Sequence, residues 1–326
     1  MNRRAFITMV GGSILARSLA SEAQQTGKVW RIGSLSQTSP AVGAIYTEAF
    51  LQGLRESGYI EGRDFIFEMR YAGGRFERLP DLAAELAGLK VDVIFARSSR
   101  AVTAARGATG TIPIVALDLE SDPVVMGFVA SLARPGGNIT GWFLDLPELM
   151  GKQLELLKEV VPELSRVAVL GDSAINASHF KAVEGAGRAL GVRVQALEAR
   201  RSKDLGIAFD AATRERARGM IVFSSSFTFL HNALISDLAA KNKLATISIV
   251  KEFVEAGGRM AYGVNLWDLH RRCAAYVVKI LKGAKPGELP VERPARFEFI
   301  VNLKAAKALG LTIPQTLLQR ADEVIQ

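Results

Sequence analysis

The sequence predicts an α/β protein made of two doubly wound parallel-sheet lobes joined by a hinge. Three observations carry that prediction. Short apolar runs that read as buried strands alternate with amphipathic helical stretches along nearly the whole chain, and such alternation builds parallel sheets with helices on both faces. The series occurs twice in kind: in each half a helix stops at a glycine before a strand (Gly58, Gly191), and a short buried strand exits into serines (Ser98-Ser99, Ser224-Ser225-Ser226). Between the two series lies Ser131-Leu-Ala-Arg-Pro-Gly-Gly-Asn-Ile-Thr-Gly141. There Pro135 cannot continue a helix, Gly136 and Gly137 free the backbone to turn, and an extended run leads to Gly141. These three glycines are the expected hinge.

A chain of 326 residues is long enough for two domains. The apolar share of 49% and the charged share of 23% are ordinary for a globular protein. The net charge of +8 is scattered among acids, as in Arg63-Asp64 and Glu215-Arg216, and no Lys/Arg run is interleaved with aromatics, so nucleic acid is not an expected partner. Cys273 is the one cysteine, which excludes an intrachain disulfide, and it shares a helical apolar face with Leu266, Leu269, Val277 and Ile280.

Residues 1–23 read as an export signal. Arg3-Arg4 is a positive start, 5–16 is mostly apolar and too short for a stable membrane anchor, and Ser18-Leu-Ala20 and Ser21-Glu-Ala23 offer small residues for cleavage. Arg3-Arg4-Ala-Phe6-Ile7 resembles a twin-arginine signal, with Asn2 and Thr8 departing from the usual pattern. The expected compartment is the periplasm, where disulfides are allowed but not required.

In chain order, a strand over 29–35 leads into a polar loop, with Ser39 as helix cap and Pro40 at the first helical position. Val42, Ile45, Ala49, Phe50 and Leu54 recur at helical spacing. A strand over 65–71, a helix over 79–89 and a buried strand over 91–96 follow, with Arg97-Ser98-Ser99-Arg100 at its tip. After another helix come a strand over 112–116 and the loop Asp118-Leu-Glu-Ser-Asp122-Pro123. The second series has helices over 150–161, 177–190, 205–217 and 232–241, and strands over 166–170, 192–197, 220–223 and 245–249. The strand at 166–170 exits through Gly171-Asp-Ser-Ala-Ile-Asn176. A short extended stretch at 260–263 precedes a long helix over 266–281, and a strand over 297–301 with two short helices ends the chain. The expected organisation is a first lobe over 28–140, completed by about 266–294, a second over 141–265, and a return segment over 295–326 left unassigned to either lobe.

Open sheets of this kind bind ligands beyond the C-terminal ends of their strands, and two lobes meeting there make an interdomain cleft. Familiar cofactor chemistry is missing. The first strand leads into Ser36-Gln-Thr-Ser with no glycine-rich dinucleotide turn, and the chain has no Walker phosphate loop and no nucleophile elbow. His179, His231 and His270 are isolated on or beside helices and read as satisfied side chains rather than metal ligands. Asp118 and Asp122 could act as an acid/base pair or as loop caps. No cofactor and no metal are expected.

Longer stretches are more specific. Gly53-Leu-Arg-Glu-Ser-Gly-Tyr-Ile-Glu-Gly62, Ser121-Asp-Pro-Val124, the stretch through Gly141, Leu154-Glu-Leu-Leu-Lys-Glu159, Glu252-Phe-Val-Glu-Ala-Gly-Gly258, Lys279-Ile-Leu-Lys-Gly-Ala-Lys-Pro286 and Asn302-Leu-Lys-Ala-Ala-Lys-Ala-Leu-Gly-Leu311 together resemble the tryptophan-binding-like substrate-binding proteins of ABC importers, over nearly the whole mature chain. The resemblance implies a type I periplasmic binding fold closing on a small solute, with a membrane permease and a separate ATPase as partners. Two departures concern the ligand: Arg97-Ser98-Ser99-Arg100 stands where the family has small residues and a proline, and Ser224-Ser225-Ser226 replaces a proline-containing turn.

The expected cleft lining is Ser36, Gln37, Arg97, Ser98, Ser99, Asp118, Asp122, Asn176, Ser225 and Asn265. Hydroxyls and amides hold polar groups, Asp118 or Asp122 an ammonium, and Arg97 or Arg100 a carboxylate. The expected function is that of a monomeric solute receptor for an amino acid or small carboxylate. A secreted enzyme using Asp118 and Asp122, or a solute sensor uncoupled from transport, are the alternatives.

Overall fold

The computed structural model describes residues 28–144, 147–171 and 177–326. The expected export signal and Asn176 lie outside them. The first lobe is built on a five-stranded sheet in the order β2-β1-β3-β4-β5, comprising β1 (Trp30–Ser36), β2 (Phe65–Tyr71), β3 (Val93–Arg97), β4 (Ile114–Asp118) and β5 (Ile139–Phe143). The second holds β6 (Arg166–Gly171), β7 (Arg193–Glu198), β8 (Gly219–Val222), β9 (Ala245–Val250), β10 (Met260–Val264), β11 (Glu298–Asn302) and β12 (Glu323–Ile325), in the order β12-β11-β10-β9-β8-β6-β7. Strands β7-β6-β8-β9-β10 repeat the spatial order of β2-β1-β3-β4-β5, so the likeness of the two halves is a likeness of topology. In each lobe the order reverses at one point, between β1 and β3 and between β6 and β8, and such switch points open a crevice for ligands. Every sheet pair is parallel except β10 with β11. The chain enters β11 from a crossing rather than from a helix packed on that sheet, which removes the demand for a parallel crossover.

Strands β3, β4, β8 and β9 at the sheet centres, and the edge strand β5, are buried throughout. The outer strands β2 and β7 keep exposed positions. Helix α1 (Pro40–Glu56) is capped by the Ser39 side chain, which accepts from the Val42 N–H. It lies against the helix Leu266–Leu281, here α10, so closely that a Cβ on Gly53 would stand 2.2 Å from the Arg271 carbonyl oxygen. Helix α10 also packs on β3, β4 and β5. Cys273 faces inward from α10 and is fully buried. Residues 295–326 join the second lobe through β11 and β12. One core cluster runs through both lobes, and a second fills the opposite face of the first sheet, with Leu35, Ile94, Ala116 and Phe143 against Leu82, Leu86, Val102 and Ala105.

The crossings between lobes differ from the expected hinge. Strand β5 pairs with β4 and belongs to the first sheet, so the chain leaves that lobe after Phe143, not at 141. Gly136 and Gly137 precede β5, at the edge of the sheet away from the crossings, where Gly136 N–H donates to the Gly287 carbonyl at 3.1 Å. Gly141 sits inside β5, with φ of +131° and an ideal Cβ 2.2 Å from the Ala116 carbonyl oxygen. It is glycine because the neighbouring strand leaves no room for a side chain. The other crossings fall between β10 and α10, and between 292 and β11.

Candidate functional site

The C-terminal ends of both sheets face a shared cleft, the place where open α/β sheets bind small molecules. Ser36, Gln37 and Thr38 enter it from the exit of β1, and Arg97 and Ser98 from β3. Leu117, Leu119 and Glu120 come from the end of β4, Ser224 and Ser225 from β8. Tyr46 of α1, Phe229 of α7 (Ser226–Leu230), and Leu266 and His270 of α10 supply an apolar and aromatic wall.

Arg97 is the dominant charge. It is 7% exposed, and among the described residues no acidic side chain forms an ion pair with it. Nη1 donates to Thr47 Oγ1 at 3.0 Å, and Cζ lies 5.7 Å from the Tyr71 ring centre. Nε and Nη2 have no hydrogen-bond partner among the described residues. The guanidinium fits beneath α1 because residue 43 is glycine: a Cβ there would stand 2.6 Å from the Tyr71 ring and 3.1 Å from Arg97 Nη2. Burial pulls the Arg97 pKa down, opposed by Tyr71, yet a guanidinium stays charged in proteins. A buried, incompletely satisfied cation is a standing cost that an anionic ligand group would offset.

Ser98 beside it has φ of +153° and ψ of 164°, a conformation that side chains avoid. Its hydroxyl caps α3 (Ser99–Ala108) by accepting from the Ala101 N–H at 3.1 Å. Ser225 does the same for α7, accepting from the Thr228 N–H at 3.1 Å. Ser36 and Thr38 share a hydrogen bond at 2.9 Å.

The aromatic wall is a stack. The Tyr46 ring lies over the His270 imidazole at 4.8 Å and 25°, with Phe229 6.2 Å away on the other side of the cleft. His270 Nδ1 is 2.8 Å from the Leu266 carbonyl oxygen. A carbonyl only accepts, so the proton sits on Nδ1 and Nε2 is an acceptor. Burial, helped by the nearby Arg97 charge, drives the His270 pKa down to about 3, so the ring is neutral at physiological pH. The Tyr46 hydroxyl donates to Glu252 Oε1 at 2.6 Å. Burial raises the pKa of both groups, and for Tyr46 the Glu252 charge adds to it.

Of the residues expected from sequence, Ser36, Gln37, Arg97, Ser98 and Ser225 line the cleft together. The others are employed elsewhere. Asp118 is fully buried and holds its own loop, accepting from Ser121 Oγ at 2.6 Å and the Glu120 N–H at 2.8 Å. Ser99 joins that network through Ser121 at 3.2 Å. Burial lifts the Asp118 pKa to about 6, against the pull of these bonds. Asp122 accepts from the N–H groups of Val124 and Val125 as a turn cap. The two carboxylates therefore do not meet as an acid/base pair. Asn265 is exposed, caps α10 by accepting from the Asp268 N–H, and borders a separate groove with Trp142 and Trp267. Arg100 stacks over Phe76 at 4.9 Å, outside the cleft. Sequence reasoning missed Tyr46, Glu120, Phe229 and His270. Glu120 lay within a loop already marked as ligand-facing, whereas Tyr46 and His270 carried only the helical spacing of core residues and Phe229 fell between the expected elements.

Among the described residues, no cluster of three or more His, Cys, Asp or Glu is placed to hold a metal, and no helix is long and apolar enough to cross a membrane.

Two topologically equivalent lobes with their strand ends turned on a shared cleft define a two-lobed solute-binding protein of the type I periplasmic fold. The chain belongs to the ABC transporter substrate binding protein family, whose model matches residues 38–325. It is 24% identical over 278 residues to a tyrosine-binding protein of Clostridioides difficile, covering 81% of this chain and 76% of that one. A Streptococcus pneumonia ABC domain in complex with L-Trp superposes with a TM-score of 0.84 at 23% identity, over 91% of this chain and all of that one. A ligand-free, open substrate-binding protein with adhesive properties from Clostridium difficile, 25% identical over the same shares, gives 0.68.

Proposed function

We propose that this protein is the extracytoplasmic receptor of an ABC importer and that it closes on an aromatic amino acid. The observation that carries this is Arg97: a buried guanidinium with Nε and Nη2 unpartnered, in a cleft walled by Tyr46, Phe229 and His270. In this reading Arg97 receives the α-carboxylate by charge-assisted hydrogen bonds. Glu120 is the acidic side chain of the lining and faces the ammonium. The rings and Leu117, Leu119 and Leu266 cover the ligand side chain, and the hydroxyls of Ser36, Ser98 and Ser225 complete the polar end. The relatives' names, one tyrosine-binding and one complexed with L-Trp, support the same class. A permease and a separate ATPase complete the transport system, and the lobes rotate about the three crossings.

Thermal unfolding and calorimetry with L-tyrosine, L-tryptophan, L-phenylalanine, small dicarboxylates and sugars test the ligand class. A ligand present at a hundred times its dissociation constant adds about 2.7 kcal/mol of stability. The expected result is a shift with aromatic amino acids alone. Shifts only with sugars, or with carboxylates lacking an amine, would replace the reading. Uptake of the labelled ligand by cells with and without the gene tests coupling to transport.

A further inference from the structure

Glu252 opens the segment Glu252–Gly258, one of the stretches that carry the family resemblance, yet it is not part of the cleft lining. It is the second residue of the short helix α9 (Lys251–Glu255), directly after β9 in the second lobe. Tyr46 belongs to α1 in the first lobe and is a wall of the cleft. The 2.6 Å hydrogen bond from the Tyr46 hydroxyl to Glu252 Oε1 therefore runs from a residue facing the ligand to the opposite lobe.

We propose that Tyr46 and Glu252 form the closure lock of the receptor, Tyr46 as a ligand-touching residue and Glu252 as the positioning residue that pins it. The lock rests on the receptor reading above for its ligand but not for its geometry. One face of the Tyr46 ring is taken by His270, and the ring also borders the cavity, so a ligand packed there fixes where the hydroxyl points. Here Glu252 Oε2 is buried without a hydrogen-bond partner among the described residues. That burial is unfavourable unless Oε1 receives a well-aimed donor; the stack on His270 aims the donor in the free protein, and a ligand packed on the ring strengthens the hold. Occupancy and closure are thereby linked through one hydroxyl: the ligand steadies the ring, the ring offers its donor, and the bond across the cleft retains the ligand.

A lock of this kind acts on escape, not on entry, because the bond forms after the lobes have met. The test is stopped-flow binding of L-tyrosine and L-tryptophan to the full protein and to Tyr46→Phe, Glu252→Ala and Glu252→Gln. Tyr46→Phe keeps the ring and Glu252→Gln keeps an acceptor oxygen. Tyr46→Phe and Glu252→Ala should raise the dissociation rate about tenfold, equal to about 1.4 kcal/mol, with association rates within about twofold of wild type. Glu252→Gln should stay near wild type in both rates. An unchanged dissociation rate in Tyr46→Phe, a loss carried by association, or a Glu252→Gln variant as impaired as Glu252→Ala would overturn the lock. A second readout needs no ligand: the distance between dyes on the two lobes, followed by single-molecule fluorescence. Wild type should populate the closed state more than Tyr46→Phe or Glu252→Ala, and equal distributions would also overturn it. If neither amino acid binds wild type while the closed populations differ as expected, the ligand assignment fails and the lock stands.

Discussion

Arg97→Met should make the unliganded protein more stable while it disables binding. The guanidinium is 7% exposed, and among the described residues only its Nη1 has a hydrogen-bond partner. Its removal orphans nothing, because Thr47 Oγ1 also bonds the Gly43 carbonyl and the Tyr71 hydroxyl, each at 3.0 Å. Methionine keeps most of the apolar stem and can adapt to the space beneath α1. Replacing even a buried ion pair by well-packed apolar groups is often neutral or gains about 1–4 kcal/mol, and here no acid among the described residues forms an ion pair with the cation. One kcal/mol is worth about 2–4 °C in melting temperature for a domain of 150–250 residues, so a rise of at least about 2 °C is expected. Losing one partner of a buried charge pair costs binding about 2–5 kcal/mol, which is about 30- to 5,000-fold in affinity. Scanning calorimetry of the free proteins and titration with L-tyrosine and L-tryptophan read the two effects separately. A variant that melts below wild type and keeps its affinity would refute the reasoning, since Arg97 would then be a structural cation with no ligand to meet.

Three further outcomes follow from single residues. His270 should remain a neutral Nδ1–H tautomer between pH 5 and 8 by nitrogen NMR. Its folded pKa of about 3 lies below the unfolded value, so unfolding takes up a proton in that interval and the His270 contribution is lost as pH falls from about 6.5 towards 3; a His270 resonance titrating near pH 6.5 would contradict the burial argument. Gly53→Ala should lower the melting temperature by several degrees through about 1–3 kcal/mol of overpacking, because its Cβ would meet the Arg271 carbonyl at 2.2 Å and Ala274 Cβ at 2.7 Å. Ser98→Gly should be nearly neutral in a denaturant titration, relief of the φ of +153° offsetting the lost cap, whereas Ser98→Ala keeps the strain, loses the cap and should cost about 1 kcal/mol or more.

The architecture was legible because it is written in periods. Buried strands and amphipathic helices alternate twice, and the rule that ligands bind beyond strand ends then picked out Ser36, Gln37, Arg97, Ser98 and Ser225. The same rule also selected Asp118, Asp122, Ser99 and Asn265, and here local chemistry competes with ligand binding. A strand exit that starts a turn or helix exposes N–H groups needing acceptors, so Asp122 and Asn265 are consumed by backbone two or three residues on. Asp118 and Ser98 show that the two uses cannot be told apart by residue type. Both sit at a strand end and bond nearby backbone, yet only Ser98 also reaches the cleft.

The hinge and the aromatic wall were hidden for a different reason. A glycine pair announces a turn but not its place in the fold, and Gly136-Gly137 turns at the far edge of the sheet. The crossing at 292–298 contains Pro294 and no glycine. Lobe rotation therefore does not require glycine there; a few residues between rigid elements can share the change in backbone angles. Tyr46 and His270 recur at the same helical spacing as their core neighbours Phe50 and Cys273, so their pattern says only that they face inward. Whether inward means core or cleft is decided by the second lobe, which covers Tyr46 with Phe229 and Glu252. A residue whose environment is completed by closure carries a core signature in its own helix, and the binding surface of a two-lobed receptor is read only when both lobes are placed.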